Sequence, residues 1–326
     1  MNKEKLSGKT LLQSGKAFAK KNIMVVLCLV LLIICSCASP KFLTAKNILS
    51  ILRQNTIVGV LAVGQCIAII AGGIDSSLAF VMCAGVMVLG KVQNLPLAVC
   101  LLIVLAFGFL MGSISGIAVA YFNVVPFIAT MAMGLICEGI ALLSNHGKPI
   151  YWMNNHHDYI RIMGSENTLG IPNMVLAFLL IVIVGQLVLS KTKLGFAWRA
   201  IGGNSQAAYW SGVRSKFYTM LSLSFSGMMA GAAAMLMVAR IGTSDPTAGN
   251  TFTMDSMAAA VLGGTFIGGK GIGSIAGALL GTFMLGMVNN IFNLIGFSAY
   301  MQDITKGIII ILAVIVGSKS VANRTT

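Results

Sequence analysis

Acidic and amide side chains within long apolar runs are the residues of this chain whose type and position could do chemistry. Asp75 follows a glycine pair between two apolar runs, and Glu138 lies inside another. Ionisable groups at membrane depth are costly in lipid and commonly serve a transport path. For both acids a path role and an interhelical hydrogen bond stay open, whereas for Asp303, one turn from Lys306, a structural role is favoured. The remaining polar groups of this kind are Asn289, Asn290 and Asn293, with Arg53 as the candidate counter-charge.

Catalytic motifs are not among these groups. The chain has no HExxH motif and no Ser-His-Asp or paired-carboxylate set that would share a pocket, so it is not expected to be an enzyme. The segment Gly264–Gly271, GTFIGGKG, comes within one residue of a phosphate-binding loop. Gly271 lacks the hydroxyl that such a loop offers to magnesium, and no strand is predicted before it. ATP and magnesium are therefore expected on a separate chain, and no cofactor or metal is expected on this one.

The elements that position these side chains are long apolar helices. Of the 326 residues, 57% are hydrophobic and only 9% are charged, which is the composition of a polytopic membrane protein. The net charge of +14 comes from lysines and arginines that cluster at the ends of apolar runs. There they contact lipid headgroups and set the topology, so nucleic acid is not an expected partner.

The apolar runs predict an all-α bundle of about ten membrane-spanning helices. Residues 1–21 carry six lysines and one glutamate, which places the N-terminus in the cytoplasm. An even number of crossings returns the C-terminus to the same side. The predicted organisation is an N-terminal tail (1–21), one transmembrane domain (22–318) and a C-terminal tail (319–326). The predicted runs are Asn22–Ala38, Leu49–Gly72, Ser77–Gly90, Leu95–Phe122, Pro126–Ser144, Ile171–Ser190, Phe217–Val238, Met254–Ile267, Gly273–Ile295 and Ala299–Ile315.

Glycines mark two further features of these runs. Gly108, Gly112 and Gly116 are spaced by four, so they line one helix face and predict close helix packing. Residues 71–77, AGGIDSS, combine two glycines and an acid between apolar runs, which predicts a break between two helices. A similar but weaker pattern, Leu-Gly-Gly-Thr, begins at Leu262. Such internal similarity is typical of transporters built from repeats.

The basic segment, residues 191–216, is the largest internal polar stretch with a clear charge sign. Its lysines and arginines are unopposed by any acid, which places it in the cytoplasm. Its middle, Ala200 to Gly212, is predicted to form a short helix with small residues on one side. Small side chains allow another protein surface to come close, so we predict that this stretch docks a cytoplasmic partner. The predicted docking residues are Arg199, Ala200, Gly202, Gly203, Asn204, Ala207, Ala208 and Gly212.

Along nearly its whole length the chain resembles the membrane permeases of bacterial ABC importers for ribose, xylose, arabinose, galactose and related compounds such as autoinducer-2. Each matching stretch is weak alone, and together they are specific. They are Gly73-Ile-Asp-Ser-Ser77, Pro126-Phe-Ile-Ala-Thr130, Ala200-Ile-Gly-Gly-Asn204 with Ala207-Ala208 and Ser211-Gly-Val213, Ala258-Ala-Ala-Val-Leu-Gly-Gly-Thr265, and Gly268-Gly-Lys-Gly271.

This resemblance implies a multi-pass subunit of the bacterial cytoplasmic membrane that imports a ribose-like sugar. It implies a second permease subunit, identical or different, a cytoplasmic ABC ATPase and an extracytoplasmic sugar-binding protein, besides membrane lipid. The loop around Gly202 and Gly203 resembles the element that touches the ATPase. Together with the polar groups above, the resemblance predicts a translocation path that includes Asp75, Ser76, Phe127, Thr130, Glu138 and Asn289.

Two departures from the family pattern bear on the substrate. Many relatives read GGIDLSVG where this chain has Gly72 to Ala79, and many have an arginine where this chain has Glu138. A permease for nucleosides or branched-chain amino acids is therefore the alternative within transport, since a zwitterion would engage both acids. From other classes, an ion-coupled transporter would use Asp75 and Glu138 as ion sites, and a membrane scaffold would use neither.

Overall fold

The computed structural model describes residues 23–152, 156–249, 251–268, 270–298, 300–308, 311 and 315. Most of them are helical, and the predicted tails 1–21 and 319–326 lie outside the described residues. Residues 300–308 are also helical. The helices are α1 (Ile23–Ala38), α2 (Ala45–Ile70), α3 (Leu78–Val92), α4 (Leu97–Phe122), α5 (Pro126–Ser144), α6 (His157–Tyr159, continued by a π-helical turn, Ile160–Ser165), α7 (Asn173–Lys191), α8 (Lys193–Gly203), α9 (Ser205–Trp210), α10 (Ser215–Ile241), α11 (Phe252–Leu262) and α12 (Ile275–Leu294).

Six of the described helices are long and apolar enough to cross a membrane: α2, α4, α5, α7, α10 and α12. The shorter helices α1, α3 and α11 are also apolar. The predicted membrane helix bundle is therefore confirmed at this level. At 1.5 Å per residue, the 11 residues of α11 extend about 16 Å, which is roughly half a hydrocarbon layer.

Helix α2 lies at the centre of the bundle, where it packs against α7, α10, α11 and α12. Most of its residues from Asn55 to Ile70 are fully buried. Helices α4 and α10 form the most extensive helix pair. Its contact is as close as the glycine spacing predicted, because a Cβ on Gly112 would overlap the carbonyl oxygen of Leu223, and one on Gly108 that of Gly227.

Two non-helical segments interrupt the bundle. The first break, residues 71–77, joins α2 to α3, as the sequence predicted. The second break, residues 263–274, joins α11 to α12, and its described residues reach the end of α2. A Cβ on Gly273 would lie 2.9 Å from the Ile70 side chain, and the Cys66 Sγ atom lies 3.3 Å from the Thr265 hydroxyl. The two glycine-marked segments are therefore neighbours beside α2.

Several helix ends differ from the predicted ones. Helix α10 runs past the predicted end at Val238 to Ile241, so Arg240 belongs to the helix. Helix α11 ends at Leu262, five residues before the predicted end, because Gly264 adopts a left-handed conformation (φ +84°). The single short helix predicted for Ala200 to Gly212 is wrong: α8 and α9 meet there at Asn204.

The loop between α5 and α7 packs over the ends of α2, α3 and α10. Its strand β1 (Ile150–Tyr151) pairs with β4 (Thr243–Ser244), and β2 (Asn167–Thr168) pairs with β3 (Ile171–Pro172), both antiparallel. Burial raises the pKa of the Tyr159 hydroxyl, which donates to the carbonyl of Met235 at 2.8 Å. Arg53 donates to the Ser165 carbonyl and to Asn167 Oδ1 of this loop. Its observed partners are therefore loop groups and not the buried acids.

Candidate functional site

The carboxylate of Asp75 lies inside the bundle, since the residue is only 1% exposed. Its Oδ1 atom accepts hydrogen bonds from the backbone amide of Ser77 at 3.0 Å and from the Ser77 hydroxyl at 2.6 Å. An acceptor side chain at this point satisfies an amide that has no carbonyl partner at the start of a helix. Asp75 therefore stabilises the first turn of α3.

Thr130 of α5 holds the first break from the other side. Its hydroxyl accepts from the backbone amide of Ser76 at 3.0 Å and lies 3.2 Å from the Ile74 carbonyl. On α11, the Thr253 hydroxyl accepts from the amide of Ala79 at 3.2 Å. Non-helical backbone in a membrane bundle needs such partners, because lipid offers none. The structure thus brings Asp75, Ser76 and Thr130 together.

The other three predicted path residues lie elsewhere. Phe127 is exposed on the outer side of α5. Glu138 is half-buried, eight residues beyond Thr130 on the same helix, which corresponds to about 12 Å along the axis. Asn289 lies on α12, and its side-chain oxygen is buried without a hydrogen-bond partner in the described part of the chain. In the described part of the chain, the side chains of these three residues make no hydrogen bond to the group at the first break.

The basic segment folds as two helices with a sharp corner between them. Asn204 caps α9, because its Oδ1 atom accepts from the amides of Gln206 (3.0 Å) and Ala207 (2.9 Å). Gly212 lies just after α9 and has φ +84°, a conformation that favours glycine. The Val213 amide donates to the Ala208 carbonyl. The roles of Asn204 and Gly212 are thus to shape the corner and its exit.

Helix α8 lies against both breaks. A Cβ on Gly202 would overlap the carbonyl oxygen of Ile70, the last residue of α2. The Arg199 guanidinium donates to the carbonyls of Gly271 (3.2 Å) and Gly273 (3.0 Å) in the second break. A movement of α8 would therefore act directly on the non-helical segments that hold Asp75 and Thr265.

A cavity of about 380 Å³ lies between these elements. We call it the junction cavity, because the first break, α4, α5, α8, α9 and α10 all contribute to its wall. It lies where the predicted docking helices meet the predicted path. Its lining residues are Ala71, Gly72, Gly73, Val119, Pro126, Ile201, Gly202, Gly203, Asn204, Ser205, Thr219, Ser222 and Leu223.

The predicted docking residues divide into two groups. Gly203, Asn204, Ala207 and Gly212 are exposed, beside the exposed aromatic rings of Tyr209 and Trp210. Gly202 and Ala208 are buried within the chain, and Arg199 and Ala200 are half-buried. The outer group forms a surface that another protein could reach, whereas the other group packs within the chain.

The segment that resembles a phosphate-binding loop belongs to the second break. It follows helix α11, and a phosphate-binding loop would follow a strand. The Lys270 ammonium lies over the Phe266 ring, 5.9 Å from its centroid. The Gly271 carbonyl is bound by Arg199. The observed contacts of this segment are therefore structural ones within the chain.

One ion pair was missed by the sequence analysis. Lys306 lies 3.1 Å from Asp255 of α11 and 3.9 Å from Asp303. The side chains of Lys306 and Asp255 are 18% and 10% exposed, whereas that of Asp303 is 71% exposed. The rule that selected Asp75, an acid within an apolar helix, applies equally to Asp255. Its partner could not be inferred, because it lies 51 residues away.

Replacing Lys306 with methionine is expected to lower the free energy of unfolding by about 2 kcal/mol, since it removes a hydrogen bond between charged groups and leaves the Asp255 carboxylate buried alone. Thermal unfolding of the purified chain in detergent measures the loss. Asp303→Asn is the matched control, because an exposed pair at 3.9 Å contributes less than about 1 kcal/mol. Equal melting temperatures for the two variants would contradict the assignment.

Comparison with known proteins shows which family the chain matches. Residues 47–314 match the family model described as the branched-chain amino acid transport system permease component. The ribose import permease protein RbsC of Escherichia coli (strain K12) is 35% identical over 309 residues, 93% of this chain and 95% of that protein. RbsC of Bacillus subtilis (strain 168) is 34% identical over 90% of this chain and 91% of its own length. The D-allose transport system permease protein AlsC of E. coli (strain K12) is 29% identical over 90% of each chain. No solved structure gives a significant match.

Proposed function

The chain belongs to the family of branched-chain amino acid transport system permease components, and from this premise we propose that it is the membrane-spanning subunit of an ATP-driven importer of a ribose-like monosaccharide. The observation that carries the proposal is the match to ribose and D-allose permeases along nine tenths of the chain. The family description refers to branched-chain amino acids. The similar proteins, however, are named for sugars, and they favour a sugar substrate here.

The proposed coupling element is the outer surface of α8 and α9, with Gly203, Asn204, Ala207 and Gly212 in contact with a cytoplasmic ABC ATPase. Arg199, Ala200, Gly202 and Ala208 support this surface from within. The contacts of α8 with both breaks support the proposal, because they offer a mechanical link from the surface to the bundle interior. Closure of the ATPase would push α8 against Ile70 and against the second break.

The proposed path runs beside the first break, past Asp75, Ser76 and Thr130. Support comes from the break itself, since irregular backbone at membrane depth occurs where it lines a cavity or is buried in protein. The proposed path also includes Phe127, Glu138 and Asn289. These residues would line it in another conformation of the bundle. Access would alternate between the two sides as the breaks move with α8.

The proposed topology has about ten crossings with both termini in the cytoplasm, within a transmembrane domain of residues 22–318 between the tails 1–21 and 319–326. The basic segment 191–216 then faces the cytoplasm, where its ATPase partner would be found. A bacterial cytoplasmic membrane is the proposed location. The further proposed partners are a second permease subunit, identical or different, and an extracytoplasmic sugar-binding protein, with ATP and magnesium bound by the ATPase.

Purification of the chain from its membrane in a mild detergent tests the function. We expect a stoichiometric ATPase to purify with it and its hydrolysis rate to rise when a binding protein loaded with one sugar is added. Stimulation by a branched-chain amino acid or a nucleoside instead would change the substrate class. Uptake that persists without the ATPase and stops when the ion gradient is collapsed would replace the importer with an ion-coupled transporter. A chain without substrate-dependent activity would favour a scaffold.

A further inference from the structure

Two polar side chains beside the first break have buried polar atoms that lack hydrogen-bond partners among the described residues, and a third polar side chain lies close to the break. Gln65 of α2 is 0% exposed, and both its amide nitrogen and its amide oxygen are unpartnered there. The Ser76 hydroxyl is in the same condition, whereas the Ser226 hydroxyl on α10 is buried beside the Asp75 carboxylate. Buried polar groups in folded proteins are nearly always paired, because an unpaired one destabilises the fold. Gln65 and Ser76 therefore need a partner from outside the described chain.

The three groups come from elements that meet at one place. Ser76 follows Asp75, whose carboxylate lies beside the Ser226 hydroxyl. A Cβ on Gly64, the residue before Gln65, would lie 3.0 Å from the Ser226 carbonyl oxygen. Helix α2, the first break and α10 thus meet at one spot inside the bundle.

This spot lies next to the junction cavity. Ser222 lines the cavity, and Ser226 is one turn further along the same face of α10, about 6 Å deeper. Gly73 also lines the cavity, three residues before Ser76. A small opening between α10 and the first break would therefore connect the cavity to the unpartnered groups.

We propose that Gln65, Ser76 and Ser226 face the substrate in the translocation path, where sugar hydroxyls become their hydrogen-bond partners once the bundle opens. The proposal rests on the proposed function and names residues that contact the substrate. The chemistry fits a neutral polyol: an amide offers a donor and an acceptor, and each serine hydroxyl offers both. The closed packing in the structure leaves Gln65 and Ser76 unpaired, and the loaded path satisfies them.

The test exploits opposite effects on stability and transport. The two test variants are Gln65→Met and Ser226→Ala. Gln65→Met removes an unpartnered polar group, so it is expected to raise the melting temperature of the purified chain by about 2–4 °C. In the reconstituted complex with its ATPase and sugar-loaded binding protein, each is expected to lower sugar uptake about ten-fold. A group that only served the fold would move both quantities downward or leave uptake unchanged.

Ser224→Ala is the matched control. Ser224 lies on the same helix and is also 0% exposed, but its hydroxyl lies 2.9 Å from the Met220 carbonyl and 2.8 Å from the Ser113 hydroxyl. Its loss is expected to lower the melting temperature and to leave uptake at the wild-type level. Normal uptake by Gln65→Met, or a lower melting temperature, would overturn the inference while the importer stands. A wild-type complex that takes up no sugar would overturn the proposed function itself.

Discussion

Gly203→Trp lowers sugar uptake by about 10- to 100-fold and leaves the chain folded, if the outer surface of α8 and α9 docks the ATPase. Gly203 is exposed, and the nearest atom to a Cβ placed there is the Lys270 carbonyl oxygen at 4.0 Å, so the chain itself accommodates a side chain. In a closely packed interface the same bulk costs about 1–3 kcal/mol, which corresponds to the stated loss. Uptake and ATPase rate, measured together in the reconstituted complex, give the number of ATP molecules used per sugar.

The matched control for Gly203→Trp is Gly307→Trp. Gly307 is exposed on the helical segment 300–308, and a Cβ there would meet no atom of the described residues within 4 Å. We expect normal uptake from this variant, together with a normal melting temperature for both. Wild-type coupling in Gly203→Trp would remove this surface from the docking site. A lower melting temperature would show that Gly203 serves the fold.

Gly112→Leu is expected to prevent folding, with a loss of more than about 4 kcal/mol in the free energy of unfolding. A Cβ at this position would overlap the Leu223 carbonyl oxygen and would lie 2.9 Å from the Ser224 Cα atom. Both atoms belong to the backbone of α10, which cannot move aside as a flexible side chain would. The largest helix contact of the bundle would then separate.

Gly139→Leu provides the comparison for Gly112→Leu. Gly139 is also a glycine in the middle of an apolar helix, α5, but a Cβ there would have no neighbour within 4 Å among the described residues. We expect this variant to accumulate in the membrane and to melt within a few degrees of the wild type. Size-exclusion chromatography in detergent separates folded chain from aggregate. A monodisperse Gly112→Leu chain would contradict the close crossing of α4 and α10.

The helices themselves could be predicted from local sequence. Pro126 marks the start of α5 because its fixed φ suits the first helical turn and it has no amide to leave unpaired, and the apolar run ends at Ser144 as predicted. The spacing of Gly108 and Gly112 also predicted a close crossing, since residues four apart lie on one helix face. These signals depend on neighbours within a turn or two. The misplaced ends of α10 and α11 lie where polar or glycine residues left the boundary undecided.

The candidate site could be predicted only in part. Asp75 and the first break stood out because an acid and two glycines interrupt an apolar run, and Ser76 and Thr130 came from the family resemblance. Gln65 did not stand out, since one amide within a long apolar helix is unremarkable until its lack of partners in the described structure is known. Asp255 was missed for a similar reason. The sequence pattern of one segment does not show which distant residue contacts it in the folded chain.

The sequence by itself determined that this is a helical membrane protein of the permease type, that residues 71–77 interrupt its helices, and which segment is basic. Only the tertiary structure decided that Thr130 binds the first break, that Arg199 binds the second, and that Gln65 is buried without partners among the described residues. The physical reason is the separation along the sequence between the residues that interact. Helix formation and membrane insertion depend on residues close in sequence, whereas hydrogen bonds and close contacts between helices depend on how distant segments pack.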